Sequence, residues 1–237
     1  MSDGPAAPVP HVLTLSSRTL PRLLVVIVLV LLAVHLGLQW DRFHGSRTPW
    51  EIQQLFDLDE EQSVPNWYSS AALGIAAALA AAIAGRARRL RDVDAGRWST
   101  VAWILLYLCF DEVAGLHETV NSLSSISWTV PFGLIAVVVG WWMLPWVLRL
   151  PTPTRNGLIV AGVVYVGGAV GIEMISSHFY DESNKRQFLY ALNTVVEEGC
   201  EMLGVVIAIR TLLTHMERTA GTATITLDTP AGSTTRP

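Results

Sequence analysis

Six apolar stretches, each close to the length of a membrane-crossing helix, divide the 237-residue chain. They cover residues 22–40, 67–84, 99–118, 130–148, 157–177 and 189–213, once a few interrupting acids are tolerated. About 20 apolar residues carry a helix across the hydrocarbon core, and every backbone polar group there must be paired within the protein. The pattern therefore predicts an all-α, polytopic membrane bundle of six transmembrane helices. Composition agrees, with 51% hydrophobic and 15% charged residues against about 25% charged in soluble domains. The net charge of -4 lacks the basic surplus of a nucleic-acid binder, so the expected partners are membrane lipids and not nucleic acid. Pro65, Pro131, Pro151 and Pro153 fall at span ends, and Pro145 lies where it could kink the fourth span.

Orientation follows from the basic residues, because cytoplasmic loops carry an excess of Lys and Arg. With both termini inside, 12 of the 16 basic residues fall on the cytoplasmic side, and only Arg42, Arg47, Lys185 and Arg186 fall outside. Residues 1–20 and 215–237, rich in Ser, Thr, Pro, Gly and Ala, are expected to be flexible cytoplasmic tails around a 21–214 membrane domain. The first span is expected to be retained, since LGLQWDRFHG at its outer end offers no small-x-small cleavage site. Cys109 and Cys200 lack a CxxC partner and read as reduced packing residues. The small residues of AALGIAAALAAAIAG and GVVYVGGAVG suit close helix packing. Trp128, Trp141, Trp142 and Trp146 bracket the fourth span and read as interfacial anchors.

The acids inside the spans carry the functional signal. The third span ends CFDEVAGLHETV, with Asp111, Glu112, His117 and Glu118; the fifth ends VGIEMISSHFY, with Glu173, Ser176 and His178; the sixth reads LNTVVEEGCEMLG, with Asn193, Glu197, Glu198 and Glu201. An ionised acid at a helix centre costs about 2.5 to 3.5 kcal/mol to insert, and such residues mark functional sites. Asn193, Glu197 and Glu201 are spaced four apart and share one helix face, as do Tyr107, Asp111 and Glu118. All these acids lie between mid-bilayer and the outer face.

The spans offer almost no positive side chains, so three solutions remain: bound protons, a bound metal, or water in an outward-facing cavity. Asp111, His117, Glu118, Glu197 and Glu201 are the candidate ligands of a divalent metal, zinc or another, although neither HExxH nor Glu-x-x-His is present. Trp67, Ser69, Glu173, His178 and Asn193 are candidates to line the cavity. His35 lies in the same outer layer and reads as a hydrogen-bonded packing residue or a further ligand. Asp57, Asp59, Glu60 and Glu61, in the first outer loop, read as a solvated acidic run.

The segments LDEEQSVPNWYSS, FDEVAGLHE and EEGCEMLG resemble a group of uncharacterised bacterial six-helix membrane proteins, over most of residues 50–205. The resemblance implies a multi-pass protein of the bacterial inner membrane and points to Asp59, Pro65, Trp67, Ser69, Asp111, Glu112, His117, Glu118, Glu197, Glu201 and Gly204. A weaker resemblance is to the alkaline ceramidase and adiponectin-receptor-like membrane hydrolases, which have seven helices and a zinc held by a Ser, an Asp and three His. Ser69 or Ser70, Asp111, His117, His178 and His35 match those residue types, but Glu197, Glu198 and Glu201 stand where that superfamily has a histidine pair.

Three functions are compatible with these residues. In a metal-dependent membrane hydrolase or lipid-modifying enzyme, Glu112 or Glu198 would move protons and the substrate would be a lipid from the outer leaflet. In a proton- or cation-coupled transporter, the same carboxylates would carry the ion, but VAWILLYLC and VVIAI leave the inner halves apolar. In a non-catalytic protein, the pocket would bind a lipid or another subunit.

Overall fold

The computed structural model describes residues 11–14, 16–116, 119, 127–179, 188–220 and 224–227, with backbone alone described for 11–14, 177–179 and 224–227. In chain order the helices are α1 Thr19–Phe43, the short α2 Trp50–Leu55, α3 Val64–Arg89, α4 Ala95–Ala114, α5 Thr129–Val147, α6 Thr152–Val166, α7 Glu173–Phe179 and α8 Phe188–Ala220. A π-helical turn, Gly167–Ile172, joins α6 to α7 without a break. The fold is therefore all-helical apart from one ribbon. Strands β1 His11–Thr14 and β2 Thr224–Leu227 pair antiparallel, an element that the composition of the two tails does not announce.

Four helical stretches are long and apolar enough to cross a membrane: Thr19–Phe43, Val64–Arg89, Thr129–Val147 and Thr152–Ser176. The other two long helices, α4 with 20 residues and α8 with 33, contain acidic clusters. Ser17 ties the start of α1 to the end of α8, donating from its backbone N–H and its hydroxyl to Glu217 at 2.9 and 2.7 Å. The first and last helices therefore end side by side.

Local signals account for the helix limits. Ser63 caps α3 by accepting the Asn66 N–H, Pro65 occupies the first turn, and Arg86, Arg88 and Arg89 sit at the carbonyl end where the helix dipole favours cations. Helix α4 stops at Gly115, whose φ of 56° is left-handed. A side chain there would also collide with the Glu61 carboxylate, so the glycine permits both the turn and the approach of the outer loop.

Helix α8 is the axis of the bundle, packed against α1, α3, α6 and the π turn, while α4 lies along α3. The alanines of α3 are buried at Ala72, Ala76, Ala80, Ala84 and Ala87. The α6–α8 seam relies on glycine. A Cβ on Gly204 would meet the Tyr165 backbone N at 2.8 Å, and one on Gly168 would meet the Glu197 carbonyl oxygen at 2.8 Å. Small residues do here what their spacing predicts.

The apolar core gathers toward the end where α1 begins and α8 finishes, around Val28, Ala80, Ile209, Leu212 and Leu213. Trp146 belongs to that core and is only 1% exposed, with Trp98 edge-on at 5.0 Å. This corrects its reading as an interfacial anchor: the Trp98 ring of α4 packs edge-on against it inside the core. Trp141 and Trp142 remain on the surface.

Candidate functional site

At the opposite end the helices separate around a cavity of about 1180 Å³. Its polar wall carries Asp111 and Glu112 from α4, Glu173 and Ser176 from α7, Tyr190, Glu197, Glu198 and Glu201 from α8, and Asp59, Glu60 and Glu61 from the outer loop. The acidic stripes of the third, fifth and sixth predicted spans therefore meet at one place. The described lining contains nine carboxyl side chains and no Lys, Arg or His.

Several contacts fix this wall. Asn66 at the start of α3 donates its amide to the Glu112 carbonyl at 2.8 Å, locking the end of α4. Ser176 donates to Glu173 Oε2 at 3.0 Å, and the Tyr190 hydroxyl donates to Asp59 at 2.9 Å. Tyr165, Glu173, Glu197 and Glu201 line the same wall.

The outer loop is more than a solvated acidic run. Asp57 accepts from Gln39 at 3.1 Å, lies 3.2 Å from His35 Nδ1 and 3.8 Å from Arg42. Burial pushes its carboxyl up, but the hydrogen bond and charge of His35, the Asp59 N–H and Arg42 outweigh burial and hold it below the usual 3.8. His35 is 2% exposed, with Nδ1 within 3.2 Å of both Asp57 and the Leu58 backbone nitrogen, and so anchors the loop to α1. Beyond this anchor the chain delivers Asp59, Glu60 and Glu61 to the mouth of the cavity.

Other predicted positions fall elsewhere. Trp67 is 61% exposed, Ser69 is buried, and neither is among the lining residues, nor is Asn193. The Ser69 hydroxyl, the Asn193 amide nitrogen and His35 Nε2 have no hydrogen-bond partner among the described residues. Ser70 instead bonds the Cys109 carbonyl, joining α3 to α4. His117, Glu118 and the His178 side chain lie outside the described residues. Among the described residues, no three His, Cys, Asp or Glu side chains are placed to hold a metal ion.

Sequence reasoning missed Asn66, Tyr165, Tyr190 and the tryptophans Trp103 and Trp128 as lining residues. Tyr165 left one usable signal, a lone polar ring in the apolar run GVVYVGGAVG. The others become visible only when α3, α5 and the outer loop close on α4 and α8.

The fold and site thus define a helical protein of membrane-spanning composition with one large acidic cavity between its helices. The chain belongs to the family described as Domain of unknown function (DUF8692), whose match covers residues 22–216. No curated protein matches the chain, and no solved structure does.

Proposed function

We propose that the chain is a multi-pass protein of the bacterial inner membrane, with six crossings and both termini in the cytoplasm, and that its cavity is the outward-facing site of a metal-dependent hydrolase or lipid-modifying enzyme. The observation that carries this reading is the convergence of Asp111, Glu112, Glu173, Glu197, Glu198 and Glu201 from three helices on one cavity with an apolar floor. Helices α4 and α8 then serve as the third and sixth crossings, their acids turned into the cavity and away from lipid. The adjacent ends of α1 and α8 support an even number of crossings.

In this reading some of Asp111, Glu197 and Glu201 would hold a divalent cation together with His117 and Glu118, which lie outside the described residues. The described donors are all oxygens, a set that favours a hard ion such as magnesium, calcium or manganese over zinc. When bound, the ion would supply Lewis acidity toward a carbonyl or phosphoryl oxygen and toward water, and Glu112 and Glu198 would move protons. Transport fits less well, because the lining away from the acids is almost entirely apolar.

Elemental analysis of detergent-purified protein tests the reading. Stoichiometric divalent metal is expected in the wild type and a loss of at least tenfold in occupancy in Asp111→Asn and Glu197→Gln. A metal-replete wild type with no stoichiometric metal would overturn the metal-dependent mechanism.

A further inference from the structure

A second cavity, of about 420 Å³, runs as a groove along the outside of the α3–α4 seam, away from the acids. Gly74, Ala78 and Ala81 line it from α3, Trp103 and Leu106 from α4, and Arg88 and Ser99 close one end. Ala78, Ala81, Trp103 and Leu106 are all exposed, so the groove lies open where the bilayer would be. From Gly74 to Arg88 the helix rises about 21 Å, more than the roughly 15 Å of hydrocarbon in one leaflet. A lipid tail of that leaflet therefore meets apolar wall along its whole length.

The closed end of the groove is basic. Arg88 donates to the Ser99 hydroxyl at 2.6 Å, a bond that holds its guanidinium across the seam and uses one of its five N–H donors. Around it the turn from α3 to α4 carries Arg86, Arg89, Arg91 and Arg97 against only Asp92 and Asp94. None of these five arginines forms an ion pair among the described residues. Asp92 spends its carboxylate on the Asp94 N–H, at 2.9 Å. Leu90 and Val93 project from the same turn, Val93 93% exposed, and apolar side chains set among arginines suit a headgroup layer.

We infer that the groove binds one anionic phospholipid of the adjoining leaflet, with an acyl chain between Gly74 and Ser99 and the phosphodiester on Arg88. Charge complementarity selects the headgroup. A guanidinium is a permanent cation whose fork matches two phosphate oxygens, and Arg89 and Arg91 add positive charge beside it. A zwitterionic lipid would bring its own ammonium among these arginines, whereas an anionic one brings none. The site stands at the opposite end of α3 and α4 from the acidic cavity. It rests on α3 crossing a bilayer and on neither a bound metal nor any reaction.

Melting temperature of the detergent-purified full chain, followed as lipid is added, tests the assignment. Dioleoyl phosphatidylglycerol is expected to raise it saturably, with half-saturation at least tenfold below that of dioleoyl phosphatidylcholine. Glycerol 1-phosphate, which carries the charge without the chains, should leave it unchanged. Arg88→Gln, which keeps a polar stem beside Ser99, should erase the preference between the lipids. Arg155→Ala, on α6 and outside the groove, should preserve it. Ala81→Phe, at an exposed position that leaves the fold room, should raise half-saturation for phosphatidylglycerol at least tenfold by filling the groove. Equal half-saturation for the two lipids, a preference that survives Arg88→Gln, or one that Arg155→Ala erases as fully would overturn the site and leave only diffuse attraction to a basic surface.

Discussion

The two ends of the bundle use the same helices in opposite ways. At the end where α8 finishes, Trp98, Trp146 and His215 interlock, with Trp98 5.0 Å from Trp146 and 4.7 Å from His215. His215 Nδ1 also lies 3.1 Å from the Thr154 hydroxyl, joining α6 to α8. At the other end α4, α5, α7 and α8 stand apart around about 1180 Å³ of cavity. Apolar side chains meet along one length of each helix and carboxylates along the other. The packed end holds the helices together so that the acidic end can stay open.

The sharpest way to break this division is to attack the packed end. Trp146→Ala removes a 1% exposed ring and is expected to cost about 3 to 5 kcal/mol, read as a large drop in melting temperature in detergent. Trp103→Ala, on a ring 69% exposed, should change stability by less than about 1 kcal/mol. Comparable losses at the two sites would show that the cavity end carries as much of the stability as the core.

The glycine seam between the ends offers an intermediate test. Gly168→Val would push a side chain against Cys200 and the Glu197 carbonyl, both 2.8 Å from the position of its Cβ. Overpacking of that kind costs about 1 to 3 kcal/mol, and the shift should also disturb Glu197 in the cavity wall. Gly140→Ala faces open space and should leave the melting temperature within a degree or two. The pair separates a glycine needed for close approach from one that merely lines a slot.

Carboxylates should behave in the reverse sense to the core. Removing the charge of Glu197 or Glu201 with a glutamine takes away a group that is costly to keep in a membrane bundle. Each variant is therefore expected to melt at or slightly above the wild-type temperature while losing ligand or metal binding. A marked fall in melting temperature in both would instead assign the acids to a structural network.

How far the sequence reveals these two ends depends on whether the signal is local or tertiary. The apolar runs set the long helices to within seven residues at each end, since length and composition suffice. The clusters DE at 111–112 and EE at 197–198, which line the cavity, stand out in the sequence because an acid in an apolar run is out of place wherever the helix lies. Trp146 and the outer loop were not legible. A tryptophan at the end of a span looks alike whether it faces lipid or its neighbour, and Trp146 is buried against Trp98 of α4, far away in sequence. An acidic run looks solvated until its partners, His35 on α1 and Tyr190 on α8, are known. Both partners are distant in sequence, and no local pattern ties them to the run.

The outer loop supplies the smallest expected effect and the finest test of the comparison, because it belongs to the open end yet is held by a buried anchor. The Asp57 carboxyl is held below its ordinary 3.8 by His35, the Asp59 N–H and Arg42, against the opposing effect of burial. A depressed carboxyl stabilises the fold fully above its unfolded value, and that contribution disappears as pH falls through the folded value. Melting temperature should therefore drop below about pH 4 in the wild type, and Asp57→Asn should flatten that part of the profile. The core should not share this dependence, since Trp98, Trp146 and the leucines around them carry no acid. If Asp57→Asn leaves the acid limb unchanged, the anchor contributes nothing to stability. In that case the position of Asp59, Glu60 and Glu61 at the cavity mouth must be held from the α8 side, through Tyr190.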